Sequence, residues 1–188
     1  MEKNKQTLRF YGKSLAPLEI RGREKTAKEE DVRRKYEVLT KTLIEKRKTI
    51  TTMESCTSGQ IASLITDTEG SSAVLKGAFV TYSNVAKIMQ GVPEEIIETY
   101  SVYSSETAAA MAETARNAYQ ADYSLGITGC FGNADPGNAE GIPGEVYFAI
   151  AEADQLQCFH CTVPHQKTRL LYKLYMADVI ADELLKRL

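Results

Sequence analysis

The chain has 188 residues, 43% of them hydrophobic and 26% charged, which matches a single domain built around one core and leaves no room for a multidomain assembly. No uninterrupted apolar run approaches the roughly 20 residues of a membrane-spanning helix, so no membrane partner is expected. The formal net charge of −2 is unevenly spread: residues 1–50 carry 15 Lys/Arg against 8 Asp/Glu, and residues 51–188 carry 8 against 17. The basic end is interleaved with Glu2, Glu19, Glu24, Glu29, Glu30 and Asp31, which favours a solvated arm over a nucleic-acid-binding one. Four Cys without an apolar signal stretch after Met1 fit a reducing cytoplasm, where thiols stay free.

Residues 1–30 show no sustained period of two or 3.6 and read as a basic extension ordered weakly or only by docking, with the fold beginning near Asp31. Val32, Tyr36, Leu39, Leu43 and Ile44 then recur at helical spacing, and the helix is expected to end around Lys46 to Lys48. A short strand, Thr49 to Met53, leads through the polar turn Glu54-Ser55-Cys56-Thr57-Ser58-Gly59-Gln60 into a helix over Ile61 to Ile65. Thr57 and Gln60 fit a capping box there, and the helix terminus offers unpaired N–H groups suited to a phosphate.

A second β-type run, Gly77 to Tyr82, is followed by a short helix to Gln90, with Gly91 at its C-terminal cap. Pro93 suits the first position of a helix over Glu94 to Tyr100. Ser104 or Ser105 caps a long alanine-rich helix through Tyr119, whose small residues favour close packing and a homo-oligomer. A strand from Tyr123 to Thr128 precedes the glycine-rich stretch Gly129 to Gly144. Two strands, Glu145 to Ala151 and Leu156 to Val163, then form a hairpin. A final helix over Gln166 to Leu188 carries Leu170, Leu174, Ala177, Ala181, Leu184 and Leu188 on one stripe. The pattern is α/β throughout.

Ser55, in a strand-to-helix turn, is expected to be exposed and close to backbone N–H donors that can stabilise an oxyanion, and it needs a base. His160 and His165 lie in and after the hairpin, so histidine is the lesser choice. Tyr82 and Lys87, at a strand end and in the first turn of the next helix, offer a Ser-Tyr-Lys relay, because burial drives a lysine towards its neutral, base-competent form. Cys56 is the rival nucleophile at a helix N-terminus. Cys158-Phe159-His160-Cys161 invites a zinc reading, but in a strand positions 158 and 161 point to opposite faces, so no metal is expected. The glycine-rich stretch matches neither the G-x-G-x-x-G nor the P-loop pattern.

At Thr52-Met53-Glu54-Ser55-Cys56-Thr57-Ser58-Gly59 the sequence resembles the CinA C-terminal domain family, whose motif is T-x-E-S-C-T-G-G before a helix. Gly70-Ser71-Ser72, the run Gly77 to Lys87, Gly91-Val92, Ser104 with Glu106, Met111-Ala112, Ala121-Asp122 and Ile127-Thr128-Gly129 follow in the family's order, covering about residues 31 to 188. The resemblance implies a single-domain, three-layer α/β/α sandwich. In active members it implies nicotinamide-nucleotide amidase activity, the hydrolysis of nicotinamide mononucleotide to nicotinate mononucleotide and ammonia, with no metal or organic cofactor. It places the catalytic residues at Ser55, Tyr82 and Lys87, and substrate binding at Cys56, Thr57, Ser58, Gly59, Gly129 and Gly132. A phosphate contact falls on Lys167 or Arg169.

Three departures from the family pattern stand out. Ser58 replaces a glycine. Phe131 enters the G-I-A-G-P-x-G-G loop, and the K-P-V-G that follows reads Gly141-Ile142-Pro143-Gly144. They motivate a second reading, a catalytically idle member acting as a nucleotide-binding or interaction module.

Overall fold

The computed structural model describes Phe10 and residues 15–20, 28–132 and 138–188. Its helix α1, Glu29–Lys46, buries the expected Val32, Tyr36, Leu39 and Leu43, begins with Glu29, Glu30 and Asp31 and closes on Arg47 in a left-handed turn. Acidic residues at its start and Lys46 at its end both complement the helix dipole. Next come β2 (Ile50–Glu54), α2 (Gln60–Thr66), a 3₁₀ turn over Ser71–Ala73 and β3 (Leu75–Val80). Helices α3 (Asn84–Met89), α4 (Glu94–Tyr100) and α5 (Ser105–Tyr119) lead into β4 (Tyr123–Gly129). The hairpin β5 (Glu145–Glu152) and β6 (Gln155–Thr162) precedes α6 (Arg169–Leu185).

A strand β1, Leu18–Ile20, precedes all of these, and the sheet runs β1-β6-β5-β4-β2-β3. Strands β3, β2 and β4 are mutually parallel, β5 is antiparallel to β4 and β6, and β1 pairs parallel with β6. The expectation that the fold begins near Asp31 is therefore corrected over residues 18–20. Three residues are too few to show a period, and their pairing partner lies 141 residues away, with Glu19 opposite His160. Phe10 is buried and the Leu15 N–H donates to Glu106 Oε1 at 2.8 Å, so this segment also docks on α5. The rest of the expected extension, residues 1–9, 11–14 and 21–27, lies outside the described residues.

Period-two alternation divides the sheet's side chains between two cores. Leu125 and Ile127 of β4, Val146, Phe148 and Ile150 of β5, and Phe159 and Cys161 of β6 pack with α1, α2 and α6. Met53, Ala149, Ala151 and Cys158 face α5 on the other side. Helices thus cover both faces, giving the expected three-layer arrangement. Tyr36 closes the first layer from within, donating its hydroxyl proton to the Ala177 carbonyl at 3.1 Å.

The alanine-rich helix α5 is buried from Ser105 to Glu113. Its small residues serve packing inside the chain: an added Cβ at Gly126 of β4 would lie 2.1 Å from the Ala108 carbonyl oxygen. The alanines therefore give no argument for a homo-oligomer. The helix α6 starts at Arg169 rather than Gln166, because Thr168 caps it by accepting from Leu171 N–H at 3.2 Å. Leu170, expected on the buried stripe, is 47% exposed as a result of lying in that first turn. Among the described residues no helix is long and apolar enough to cross a membrane.

Candidate active site

Because β2, β3 and β4 are parallel, their C-terminal ends lie along one sheet edge, and the chain leaves that edge at Ser55, Thr81 and Cys130. The strand β2 sits between β3, which follows it, and β4, which comes later. Sheet order reverses there, and open α/β sheets bind ligands at the carboxyl ends of strands beside such a point.

The expectation of an exposed Ser55 is corrected: it is only 7% exposed, because its N–H donates to the Ile127 carbonyl at 3.1 Å, so β4 fixes its backbone, and a side chain from α3 packs on its hydroxyl. Lys87 comes from α3, where Ser83 caps the helix by accepting from Ala86 N–H at 3.1 Å. Side chains on a helix lean towards its N-terminus, which sends Lys87 back under the β3–α3 loop. Its Nζ donates to Ser55 Oγ at 3.0 Å and to the Thr81 carbonyl at 2.9 Å. With only 1% of the residue exposed, this amine is held out of bulk water against the serine hydroxyl. Ser55 and Lys87 are thereby brought together across 32 residues of sequence.

Tyr82 is turned away from this pair. It is 63% exposed, and its hydroxyl accepts from Arg169 Nη2 at 3.4 Å. The next residue along a strand end points to the opposite side, so the Thr81 backbone, rather than the Tyr82 phenol, is the group beside Lys87. The expectation of Tyr82 as a relay to Lys87 is corrected to a position at the rim with Arg169. Arg169, in the first turn of α6, also donates to the Phe131 carbonyl at 3.0 Å, with its guanidinium 5.9 Å from the Phe131 ring centre. Lys167 is exposed and makes no hydrogen bond or ion pair among the described residues.

Cys56 follows Ser55 but is 3% exposed within the core. Burial, reinforced by the negative charge of Glu54, pushes its thiol up to about 12, against a partial opposing effect of Lys87 and Arg169. A protonated thiol is a poor nucleophile, so Ser55 is the nucleophile this turn can offer. Thr57 is fully buried with an unpartnered hydroxyl. Ser58 and Gly59 take consecutive left-handed conformations, φ 54° and 85°, so the serine occupies backbone space that a glycine adopts without strain.

The capping box does not form. The cap of helix α2 falls two residues later, on Gly59, and the Glu54 carboxylate accepts from Ile61 N–H at 3.1 Å and Ala62 N–H at 2.9 Å. Thr52 Oγ1 donates to the same carboxylate at 3.2 Å. An internal anion thus fills the helix terminus expected to take a phosphate. Glu54 was missed by pattern reading, although a carboxylate six residues before a helix start is a visible signal. Ser58 N–H and Gln60 N–H close the turn on the Ser55 and Thr57 carbonyls, which leaves the N–H groups of Cys56, Thr57 and Gly59 outside the turn's own backbone hydrogen bonds among the described residues.

The glycine loop also departs from expectation. A Cβ at Gly129 would lie 2.7 Å from the Glu145 carbonyl, so that glycine serves the β4–β5 crossing. Gly132 has φ 72° and lies beside Tyr172. Phe131, between them, is buried and stacked on Tyr172 with ring centres 5.3 Å apart, so its ring fills the core rather than the ligand space. Residues 133–137 lie outside the described residues.

His160 is engaged elsewhere, its Nδ1 2.8 Å from a Glu19 oxygen and its Nε2 against Glu145. Strand β6 stands three sheet positions from β2, about 14 Å at the usual strand spacing. Cys158 and Cys161 contribute to the two different cores, so they cannot share an ion.

The sequence and the fold both have counterparts among known proteins. The CinA C-terminal domain profile matches residues 33–180. The chain belongs to the CinA C-terminal domain family. It is 46% identical over 106 residues to the nicotinamide-nucleotide amidohydrolase PncC of Escherichia coli K12, a match covering 56% of this chain and 64% of that protein. It is 39% identical over 142 residues to a CinA-like protein of Geotalea daltonii, 74% of this chain but only 34% of the relative. The chain thus spans about a third of the length of the CinA-like relatives and under two thirds of PncC. Among solved structures, the competence/damage inducible protein CihA of Agrobacterium tumefaciens superposes with a TM-score of 0.75 at 28% identity, covering 83% of this chain and 94% of that one. A CinA superfamily protein from Escherichia coli gives 0.72 at 26% identity, covering 98% and 97%.

Proposed function

We propose that this protein is a nicotinamide-nucleotide amidase acting through Ser55. The observation that carries the reading is the 3.0 Å contact between Lys87 Nζ and Ser55 Oγ in a nearly solvent-free position. In its uncharged form Lys87 keeps an N–H for the Thr81 carbonyl and turns its lone pair to the serine hydroxyl, so the same contact runs in the direction catalysis needs. Ser55 Oγ attacks the carboxamide carbon and its proton passes to Lys87. The tetrahedral oxyanion is received by the N–H groups of Cys56 and Thr57. Lys87 then returns the proton to the nitrogen, the C–N bond breaks, and ammonia leaves a nicotinoyl ester on Ser55. Water, deprotonated by Lys87, hydrolyses that ester to nicotinate mononucleotide and restores the serine.

The substrate is a free small molecule, and Arg169, whose charge is felt at Cys56 beside Ser55, is a candidate for its phosphate. The 46% identity with PncC over 106 residues supports the same substrate class. The test is ammonia release from nicotinamide mononucleotide by the unmodified protein, Ser55→Ala and Lys87→Met. Turnover is expected for the first and a loss of about a thousandfold or more for both variants. No release by the unmodified protein overturns the amidase reading in favour of a nucleotide-binding module.

A further inference from the structure

Buried polar atoms almost always have partners, and one without any asks for an explanation. Among the described residues three buried side-chain atoms have none: Thr57 Oγ1, Thr81 Oγ1 and Asn84 Oδ1. All three flank the same place. Thr57 lies two residues after Ser55, Thr81 supplies the carbonyl that holds Lys87, and Asn84 lies three residues before Lys87 on α3. A spacing of three puts Asn84 and Lys87 on one helix face. Because the Lys87 amine reaches back to Thr81, ahead of the helix, it ends beside the turn that begins with Asn84.

The two threonine hydroxyls can rotate and either donate or accept, whereas an amide oxygen only accepts. Asn84 therefore specifies the polarity of its missing partner. Its Nδ2 donates to Asn138 Oδ1 at 3.0 Å, which fixes the amide plane and leaves Oδ1 buried without a partner.

We infer that Asn84 Oδ1 accepts an N–H of the scissile carboxamide, a role that rests on the amidase reading above. One N–H held by Asn84 orients the nitrogen of the tetrahedral intermediate so that its lone pair faces Lys87. The proton then passes from Lys87 to that nitrogen, and ammonia departs with one N–H still on Asn84. The contact selects an amide over an ester, whose alkoxy oxygen has no hydrogen to donate.

The test compares nicotinamide mononucleotide with the methyl ester of nicotinate mononucleotide, following the common acid product from the same enzyme preparation, so that a reduced folded fraction cancels in the ratio. Asn84→Ala is expected to lower the amide-to-ester ratio of kcat/KM by about tenfold or more, as sites that lose a substrate hydrogen bond do. Asn84→Asp, which keeps an acceptor in place, is expected to hold the ratio well above that of Asn84→Ala. A ratio unmoved by Asn84→Ala, or equally low in both variants, overturns the inference and leaves the amidase reading standing. An unmodified protein that forms no acid from the amide removes both.

Discussion

The Glu54 carboxylate accepts a hydrogen bond from the Ala62 N–H at 2.9 Å, tying the last residue of β2 to the first turn of α2. With Ile61 N–H on its other oxygen, the side chain clamps both ends of the turn that carries Ser55. Glutamine in this position has the shape but presents an NH2 to one of the two donors and loses the charge that the helix terminus favours. Glu54→Gln is expected to cost about 3 kcal/mol, which in a domain of this size lowers Tm by about 6–12 °C. Thermal unfolding followed by circular dichroism checks it, and a Tm within a degree of the unmodified protein contradicts the clamp.

Gly126 measures how closely α5 approaches the sheet. A Cβ there would meet the Ala108 carbonyl oxygen at 2.1 Å and the Ala112 nitrogen at 2.5 Å, both backbone atoms of the helix. No rotamer change relieves such a contact, so the helix must move away from β4 along with its buried alanines. Gly126→Ala is expected to destabilise by about 3 kcal/mol or more, read as a lower urea midpoint or as failure to accumulate in soluble form. An unchanged midpoint refutes the close approach.

Much of this layout was legible because its determinants are local. The stripe Val32, Tyr36, Leu39 and Leu43 needed only a period, and Ser55 and Lys87 were visible as a strand-to-helix turn and a first helical turn. What was misread depended on competition or on distant partners. Thr57 and Gln60 do spell a capping box, but a charged acceptor makes hydrogen bonds roughly twice as strong as a neutral one, so Glu54 took the helix terminus. Phe131 sits among glycines and resembles a ligand-facing residue, yet Tyr172 of α6 draws it into the core. The pairing of β1 with β6 spans most of the chain and leaves no local trace.

The buried thiols make stability depend on alkaline pH. Burial pushes Cys56 and Cys158 up to about 12 from 9.0, with Glu54 adding to the first and Glu106 and Glu113 to the second. Between those values the unfolded chain has released protons that the folded chain retains, so stability is fully present below about pH 9 and falls as pH rises. Each thiol contributes a slope of about 1.4 kcal/mol per pH unit. Urea midpoints are expected to decline over pH 9–11, and the double variant Cys56→Ala/Cys158→Ala to decline less steeply. Equal slopes contradict the burial of the thiols.

For the proposed nucleotide substrate, Arg169 and Lys167 offer the phosphate two different kinds of cation. Arg169 is already oriented by the Phe131 carbonyl and the Tyr82 hydroxyl, and its charge is felt at Cys56 beside Ser55. A guanidinium has five donors, so these contacts leave others for a phosphate, and its entropy of ordering is already spent. Lys167 is exposed and would have to be immobilised on binding. Arg169→Ala is expected to raise KM for nicotinamide mononucleotide about tenfold or more, whereas Lys167→Ala stays within about twofold. Nicotinamide riboside, which lacks the phosphate, separates recognition from structure: its kcat/KM is expected to be insensitive to Arg169→Ala. A comparable loss with the riboside means that Arg169 acts by holding Phe131 and Tyr82 in place, and a larger effect of Lys167→Ala moves the phosphate to that side chain.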